Sequence, residues 1–186
     1  MFRFVTTFLL LFASATTSLA QVQTDWKIKE ESSYIVFVAK NVGLQVSGKI
    51  SGMKINGQFD EADIRQSKLT GTLDVATIDT GIKLRDNHLR SDDYFDVKKF
   101  PTITFQTTSI VAEGSTLLAI GNLTIKGVTK EEKLTFTAEQ KGDMRIFTGD
   151  ITIQRRDYEL GGKSALVMAD KIRVRVFVVF QRVVKG

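Results

Sequence analysis

The chain has 186 residues, of which 42% are hydrophobic and 25% charged, and these values are ordinary for a globular protein. It contains no cysteine and a single histidine, which excludes disulfides, thiolate metal sites, cysteine nucleophiles and sites built on several imidazoles. The net charge of +5 comes from basic residues interspersed with acidic ones, which indicates a solvated surface and no nucleic-acid partner.

Residues 1–20 have the pattern of a secretory signal peptide. Arg3 supplies the positive charge, residues 4–13 form a mostly apolar run, and Ser18 and Ala20 place small side chains at positions −3 and −1 of a cleavage site. The apolar run is shorter than the roughly 20 residues that cross a bilayer as a helix. We therefore predict export, cleavage after Ala20, and a single mature domain of residues 21–186 without a transmembrane span.

Alternation of apolar and polar residues with period two dominates the mature chain and predicts β-strands with one buried face. Turn signals such as Ser47-Gly48 and Lys126-Gly127 separate eight such runs. The runs include residues 35–39, 55–59, 69–75, 103–105, 117–125, 134–138, 147–153 and 172–180. Short turns and regular spacing predict an all-β fold, an eight-stranded antiparallel meander that closes into a barrel or a sandwich.

The alternation stops over residues 82–95, between the third and fourth predicted strands. Ile82 and Leu89 are seven residues apart, as on one face of a short helix, and Thr80 is a suitable N-cap. Ser91 is suited to cap a second turn that starts with acidic residues. We expect this short helical insertion to close or buttress one end of the structure.

Four glycines, Gly57, Gly71, Gly121 and Gly149, fall on the apolar phase of predicted strands. In a filled core an inward glycine leaves a hole that costs stability, whereas in a barrel the same hole is space for a guest molecule. A second interpretation places them at bulges or tight bends, where strand curvature requires glycine. Both interpretations stay open, since both can hold at once.

The polar phase of the strands carries charged side chains. They are Lys54, Asp74, Lys133, Asp150, Arg173 and Arg175. An outer-membrane barrel would present apolar side chains to lipid and keep polar ones inside. The charged face must therefore point to water, which favours a barrel with an apolar interior over a membrane pore.

His88 is the only candidate general base, and carboxylates lie near it in the sequence. No Gly-x-Ser-x-Gly motif supplies a nucleophile, so a structural role with Arg85 and Asp86 in pinning the insertion is favoured over catalysis. One of Arg155 and Arg156 is expected to pair with Asp157 and fix a loop. A contact with a ligand head group stays open for Arg85, His88 and Arg155. We expect no metal and no cofactor, although a metal held by carboxylates alone stays open.

Four segments, in this order, resemble motifs of the YceI-like family. Residues 79–96 (DTGIKLRDNHLRSDDYFD) resemble its central signature of Thr-Gly, Arg-Asp-x-His-Leu and an acidic-aromatic pair before Asp. Residues 100–105 (FPTITF), 121–129 (GNLTIKGVT) and 153–158 (IQRRDY) are similar to its later motifs. The sequence departs from the family at Ser32-Ser33, where His-Ser is frequent, and at Glu159, where Gly is usual.

This resemblance implies a lipocalin-like barrel, exported to the bacterial periplasm, that binds and carries a long isoprenoid such as a polyprenyl chain or quinone tail without enzymatic activity. Residues on inward phases would line its interior: Phe37, Ile55, Phe59, Leu73, Phe105, Gly121, Leu123, Phe136, Phe147, Ile151, Val174 and Val176. The alternatives are a lipid-modifying enzyme that uses His88 and a stress-related protein-interaction module. A homodimer also stays open.

Overall fold

The computed structural model describes residues 24–60, 63–161 and 168–184. The predicted signal peptide, residues 1–20, lies outside these residues. Within the described part of the chain, no helix combines the length and the apolar character that crossing a membrane requires.

Antiparallel β-strands make up most of the described residues, which confirms the predicted all-β class. Ten strands are present there: β1 (Thr24–Ile28), β2 (Tyr34–Asn41), β3 (Leu44–Ile50), β4 (Lys54–Gln58), β5 (Lys68–Asp74), β6 (Thr102–Glu113), β7 (Thr116–Ile125), β8 (Val128–Lys141), β9 (Met144–Gln154) and β10 (Lys171–Val184). One α-helix, α1 (Lys83–Arg90), lies between β5 and β6, where the helical insertion was predicted. Short 3₁₀ turns span Glu30–Ser32, Ile64–Gln66, Val75–Thr77 and Arg155–Tyr158.

All ten strands belong to one sheet that curls on itself. Its order is β3-β2-β10-β9-β8-β7-β6-β5-β4, every neighbouring pair is antiparallel, and β1 pairs with β10 beyond the end of β2. From β4 to β10 consecutive strands are neighbours, as the short turns between most of them predict. The lipocalin-like architecture is thus the expected one, with two strands more than the eight predicted.

β1 and β3 are the two strands that the sequence pattern missed. The predicted turn at Ser47-Gly48 is wrong, because these residues lie inside β3 and the chain turns earlier, at Val42 and Gly43, which both have positive φ. Gly48 is needed inside the strand because the ring of Phe37 on β2 fills the position that its Cβ would take. A glycine required by packing between two strands was therefore mistaken for a turn residue.

The strands at the two edges of the curled sheet, β3 and β4, are not neighbours in the described ladder. The segment that follows β5 crosses between them: Lys49 in β3 and Asp79 exchange both backbone hydrogen bonds, at 2.8 and 2.9 Å. The backbone N–H of Ser51 also donates to the Thr77 hydroxyl at 2.8 Å. At this seam a few hydrogen bonds, rather than a full strand ladder, join β3 and Ser51 to the segment that follows β5.

The helix caps differ from the predicted ones. The N-cap of α1 is Ile82, so the prediction that Thr80 caps the helix is wrong. The backbone N–H and the hydroxyl of Thr80 instead donate to the carboxylate of Asp86, inside the helix. Ser91 is the C-cap of α1, where its hydroxyl donates to the His88 carbonyl at 2.7 Å, and a turn follows it, in which the Tyr94 N–H donates to the Ser91 carbonyl at 3.1 Å.

The buried side chains form two clusters. The larger lies toward the helix end of the barrel, which we define by α1, the β2–β3 turn at residues 42–43 and the loop that begins at residue 155. Its fully buried members include Val75, Ile78 and Tyr158, and Leu89 of α1 packs against it. The smaller cluster, Ile110, Ala119 and Phe136, lies toward the opposite end, which we call the turn end because the β6–β7 and β8–β9 turns are there.

Gly57 and Gly121 allow a neighbouring strand backbone to approach closely and do not provide space for a guest molecule. The first interpretation of the inward glycines is therefore wrong for these two positions. Gly57 is exposed with φ of 119°, and a Cβ there would collide with the carbonyl group of Lys68. A Cβ on Gly121 would lie 2.5 Å from the carbonyl oxygen of Gln106 and 2.9 Å from Cζ of Phe105. Gly121 also lies beside a register shift between β6 and β7, as expected for a bulge.

Gly57→Ala is expected to destabilise the protein because the new Cβ meets backbone atoms that cannot move independently. Gly43→Ala is the matched control: it also has positive φ, 77°, but no atom of the described residues beyond its chain neighbours lies within 4 Å of its Cβ position. Urea denaturation should show a loss of about 1–2 kcal/mol in the free energy of unfolding for the control. The loss for Gly57→Ala should be larger by at least about 1 kcal/mol, and equal losses would contradict the predicted clash.

Candidate ligand-binding cavity

An elongated cavity of about 250 Å³ lies inside the curled sheet. It is lined by residues of both buried clusters, from Leu160 and Tyr94 at the helix end to Phe59 and Leu134 at the turn end. Along β10 the wall extends from Ile172 to Phe180, about 26 Å at the rise of a β-strand. A small volume with so long a wall means a narrow channel, and its surface is almost wholly apolar.

Eleven of the twelve predicted lining residues lie in the cavity wall. They are Phe37, Ile55, Phe59, Leu73, Phe105, Leu123, Phe136, Phe147, Ile151, Val174 and Val176. Strand pleating explains this. Residues two apart along one strand point to the same side of the sheet, and so do residues that pair in register on neighbouring strands. Gly121 is not among the lining residues, since Phe105 covers it. That the eleven contact a bound ligand stays a prediction.

Gly71 and Gly149 do line the cavity, in agreement with the first interpretation of the inward glycines. Around the Cβ position of Gly71, Cδ1 of Ile55 at 3.2 Å is the only heavy atom within 4 Å among the described residues beyond its chain neighbours. Gly149 is more crowded, with Leu134 and Phe136 atoms at 3.0 Å. Gly71 is therefore the position where an added side chain would enter the cavity with least disturbance.

Other lining residues were not singled out from the sequence. Some lie on the apolar phase of the predicted strands and could have been included on that ground: Ile35, Leu69, Ile103, Ile153, Ile172, Val178 and Phe180. Others come from the missed strand β3 and from segments without periodicity: Ile50, Met53, Leu89, Tyr94, Phe95, Leu160 and Met168. Only the chain's path across the helix end brings this second group to the cavity.

Arg155 lies in the cavity wall but is 1% exposed. Its guanidinium donates to three carbonyl oxygens of one segment: to Leu160 at 2.7 Å, and to Met168 and Ala169 at 3.3 Å. The predicted pair with Asp157 is wrong, because the Asp157 carboxylate is 3.2 Å from Nζ of Lys130. Arg155 thus clamps the two ends of the loop between β9 and β10, as expected of a loop-fixing residue, through carbonyls instead of a carboxylate.

Tyr158 and Lys126 tie further segments to the helix end. The fully buried Tyr158 hydroxyl donates to Oε1 of Glu132 at 2.9 Å. Burial, and then this hydrogen bond, raise the pKa of Tyr158 well above its usual value, so the hydroxyl stays a protonated donor at physiological pH. Lys126 Nζ donates to the carbonyls of Asp92 at 2.7 Å and Glu159 at 3.2 Å, and so joins the segment after α1 to the loop after β9.

Arg85 and His88 lie on α1, away from the described cavity wall. Arg85 donates to the hydroxyl and the carbonyl of Thr80, both at 2.8 Å. The His88 side chain is 59% exposed, with Nε2 3.5 Å from a carboxylate oxygen of Asp93 and its ring edge-on to Tyr94. Among the described residues no three His, Cys, Asp or Glu side chains are grouped as a metal site would require.

Asp86 and Arg90, rather than His88, anchor α1 to the barrel. Asp86 is 7% exposed and accepts hydrogen bonds from the backbone and hydroxyl of Thr80. At the other end of α1, Arg90 donates to the carbonyls of Ala76 at 2.9 Å and Ile78 at 2.6 Å. Both contacts fix the helix to the segment that forms the seam.

Comparison with known proteins identifies this architecture. A family model described as the YceI-like domain matches residues 26–180, most of the chain. The chain belongs to the YceI-like family. The resemblance inferred from the four sequence motifs is therefore confirmed.

Relatives within the YceI-like family share moderate identity over most of the chain. A "UPF0312 protein" of Pseudomonas aeruginosa is 31% identical over 159 residues, which cover 81% of this chain and 83% of the relative. "Protein YceI" of Salmonella arizonae is 33% identical over 130 residues, or 68% of each chain.

Two solved structures have the same fold. BcnA of Burkholderia cenocepacia has a TM-score of 0.78 at 27% identity, over 82% of this chain and 99% of BcnA. A polyisoprenoid binding domain from Saccharophagus degradans, implicated in plant cell wall breakdown, has a TM-score of 0.64 at 16% identity, over 84% of this chain and 97% of that domain. At such low identity the second likeness establishes the fold alone.

Asp86→Ala is expected to destabilise the protein much more than His88→Ala. The first change leaves the buried donors of Thr80 without an acceptor, which should cost about 1.5–3 kcal/mol of unfolding free energy. The second removes an exposed side chain and should cost about 0.5 kcal/mol or less. Urea denaturation of both variants checks this order, and a larger loss in His88→Ala would show that histidine, not aspartate, holds the helix.

Proposed function

We propose that this YceI-like protein binds one long, apolar lipid chain, of the isoprenoid type, in the channel inside its barrel. The observation that carries the proposal is the channel's shape and chemistry: narrow, about 26 Å long along β10, and almost free of polar atoms. Each CH₂ group that moves from water into such a channel gains about 0.8 kcal/mol. The fold shared with a polyisoprenoid binding domain supports the same class of ligand.

The proposed role is that of a carrier rather than an enzyme. The polar side chain most deeply buried at the channel, Arg155, is engaged with carbonyls, and His88 lies outside the described wall. A candidate acid or base must reach the atom on which it acts, and neither residue is placed to do so for a chain inside the channel. No cofactor is part of this proposal.

The carrier is proposed to act after export, in the periplasm. The support is the sequence of residues 1–20, with its charge, apolar run and small residues before Gln21. A lipid tail is insoluble in water, so a protein that encloses it would allow transfer through an aqueous compartment.

Gly71→Leu is expected to reduce bound lipid because its side chain would enter the channel, where only Ile55 approaches it. Thr70→Leu is the matched control, since it adds a similar side chain to the same strand on the opposite face. Mass spectrometry of organic extracts should show an isoprenoid-type lipid with the wild type and the control, and much less per mole with Gly71→Leu. The overpacked variant should remain folded at a cost of about 1–3 kcal/mol.

Two results would contradict the proposal, one from this experiment and one from incubating the lipid with the wild type and with His88→Ala. Unchanged lipid occupancy in folded Gly71→Leu would place the ligand outside the channel. A lipid that the wild type converts to a new mass during incubation, and that His88→Ala leaves unchanged, would show the enzyme alternative to be correct.

N-terminal sequencing of the protein recovered from the periplasm is expected to begin at Gln21. Signal peptidase cleaves after small residues at positions −3 and −1, here Ser18 and Ala20. Ala20→Arg should block cleavage and leave the precursor cell-associated, whereas Gln21→Arg lies beyond the cleaved bond and is the control. A mature form that begins at Met1 would contradict export by this route.

A further inference from the structure

Among the described residues, four large apolar side chains are more than half exposed. Val42 and Leu44 are each 73% exposed at the tip of the β2–β3 hairpin, and Ile82 and Leu84 are 52% and 82% exposed at the start of α1. We call these four residues the apolar rim. Single exposed apolar residues are common, but a group of them at one place marks a contact surface.

The seam places both parts of the apolar rim at the helix end. Lys49 pairs with Asp79, and a Cβ on Gly48 would lie 2.8 Å from Cγ2 of Thr80, so the chain after Asp79 runs antiparallel to β3, toward Leu44. Arg90 at the far end of α1 returns to the carbonyls of residues 76 and 78. The start of α1 therefore projects in the same direction as the hairpin tip.

Packing of α1 gives no reason for the exposure of Leu84. The side of the helix that faces the barrel carries the buried Asp86 and the half-buried Arg85 and Leu89. Leu84 lies on the other side with Asn87 and His88, which are exposed. An amphipathic helix normally places polar residues there.

The channel ends beneath the apolar rim. The lining residue Phe37 pairs with Gly48 in the hairpin, and the lining residue Leu89 belongs to α1. Met168, also in the wall, forms a bridge with Asn41 next to the hairpin tip. The two segments that carry the rim thus take part in covering this end of the channel, together with the loop that begins at residue 155.

We propose that the apolar rim docks on the surface of a lipid bilayer that contains anionic lipids, so that the helix end of the barrel faces the membrane. Lys40 and Lys83, both exposed, flank the rim and would contact lipid phosphates. Of the acids nearest in sequence, Asp86 is buried and bonded to Thr80, and Asp79 accepts a hydrogen bond from the Gly81 backbone. Four side chains on two projections offer less area than the about 800 Å² per partner that a stable protein interface buries, which favours lipid over a second copy.

Docking would have a direct use for the carrier, and this step rests on the proposed function. A lipid that leaves the channel at the helix end would pass between the hairpin and α1 into the bilayer. Its apolar chain would then never contact water. Docking itself needs no bound ligand, so it can be tested separately.

The test is co-sedimentation of the protein with vesicles of phosphatidylethanolamine and phosphatidylglycerol, compared with vesicles of phosphatidylcholine alone. The wild type is expected to bind the anionic vesicles, less so at high salt. The double variant Leu44→Ser/Leu84→Ser should lower the partition coefficient about tenfold or more. The test uses the protein recovered from the periplasm, which is proposed to begin at Gln21 and thus to lack the apolar run at residues 4–13.

Two lysine variants test whether electrostatic attraction at the rim contributes to binding. Lys83→Ser should weaken binding to anionic vesicles, whereas Lys68→Ser, an exposed lysine at the start of β5 toward the turn end, should not. Equal binding of wild type and double variant, or no binding of wild type to either vesicle, would overturn the proposal. So would sedimentation that shows a wild-type dimer and a monomeric double variant, since the rim would then join two copies.

A transfer assay separates this inference from the proposed function. Movement of a fluorescent polyprenyl lipid from loaded protein to anionic vesicles should be slower for the double variant than for the wild type, with equal loading of the two. If the wild type does not bind the polyprenyl lipid at the loading step, the proposed function is contradicted. Docking is then decided by the vesicle test alone. Equal transfer rates after equal loading would contradict docking at the rim.

Discussion

Each strand of the curled sheet has to bury one face without filling the space that this face encloses. Large side chains of the two clusters, such as Phe136 and Ile153, themselves form the apolar wall, and the space that they enclose stays open. Where a side chain would narrow the channel, as at Gly71, the sequence has glycine.

The polar groups at the helix end follow from the same constraint. A channel that excludes water cannot satisfy hydrogen-bonding groups, so those next to it must be satisfied by the protein itself. Arg155 does this with three carbonyls, and Asp86 with the two donors of Thr80. These contacts also hold the loop after β9 and the helix across the end of the barrel. The interior keeps its apolar character because its polar neighbours bond elsewhere.

Period-two alternation predicted the strands that form the channel and eleven of its wall residues, because pleating is a local property of the chain. What failed depended on contacts distant in sequence. Gly48 resembled a turn residue until Phe37 was placed beside it, and Gly121 resembled free space until Phe105 covered it. One of Arg155 and Arg156 was assigned the nearest carboxylate in sequence, whereas the partners of Arg155 come from a segment that returns to it only in the fold. Motif resemblance identified the family because the motifs keep their order and spacing.

The seam leaves β3 and β4 as sheet edges, and unpaired edges can recruit strands of other molecules into aggregates. Both edges limit the length that a foreign strand could pair with. β4 has only five residues, begins with Lys54 and is distorted at Gly57 by its positive φ. β3 has the backbone groups of Lys49 already bonded to Asp79. The barrel can thus remain unclosed along one side, which gives its wall freedom to adjust, without offering a template for polymerisation.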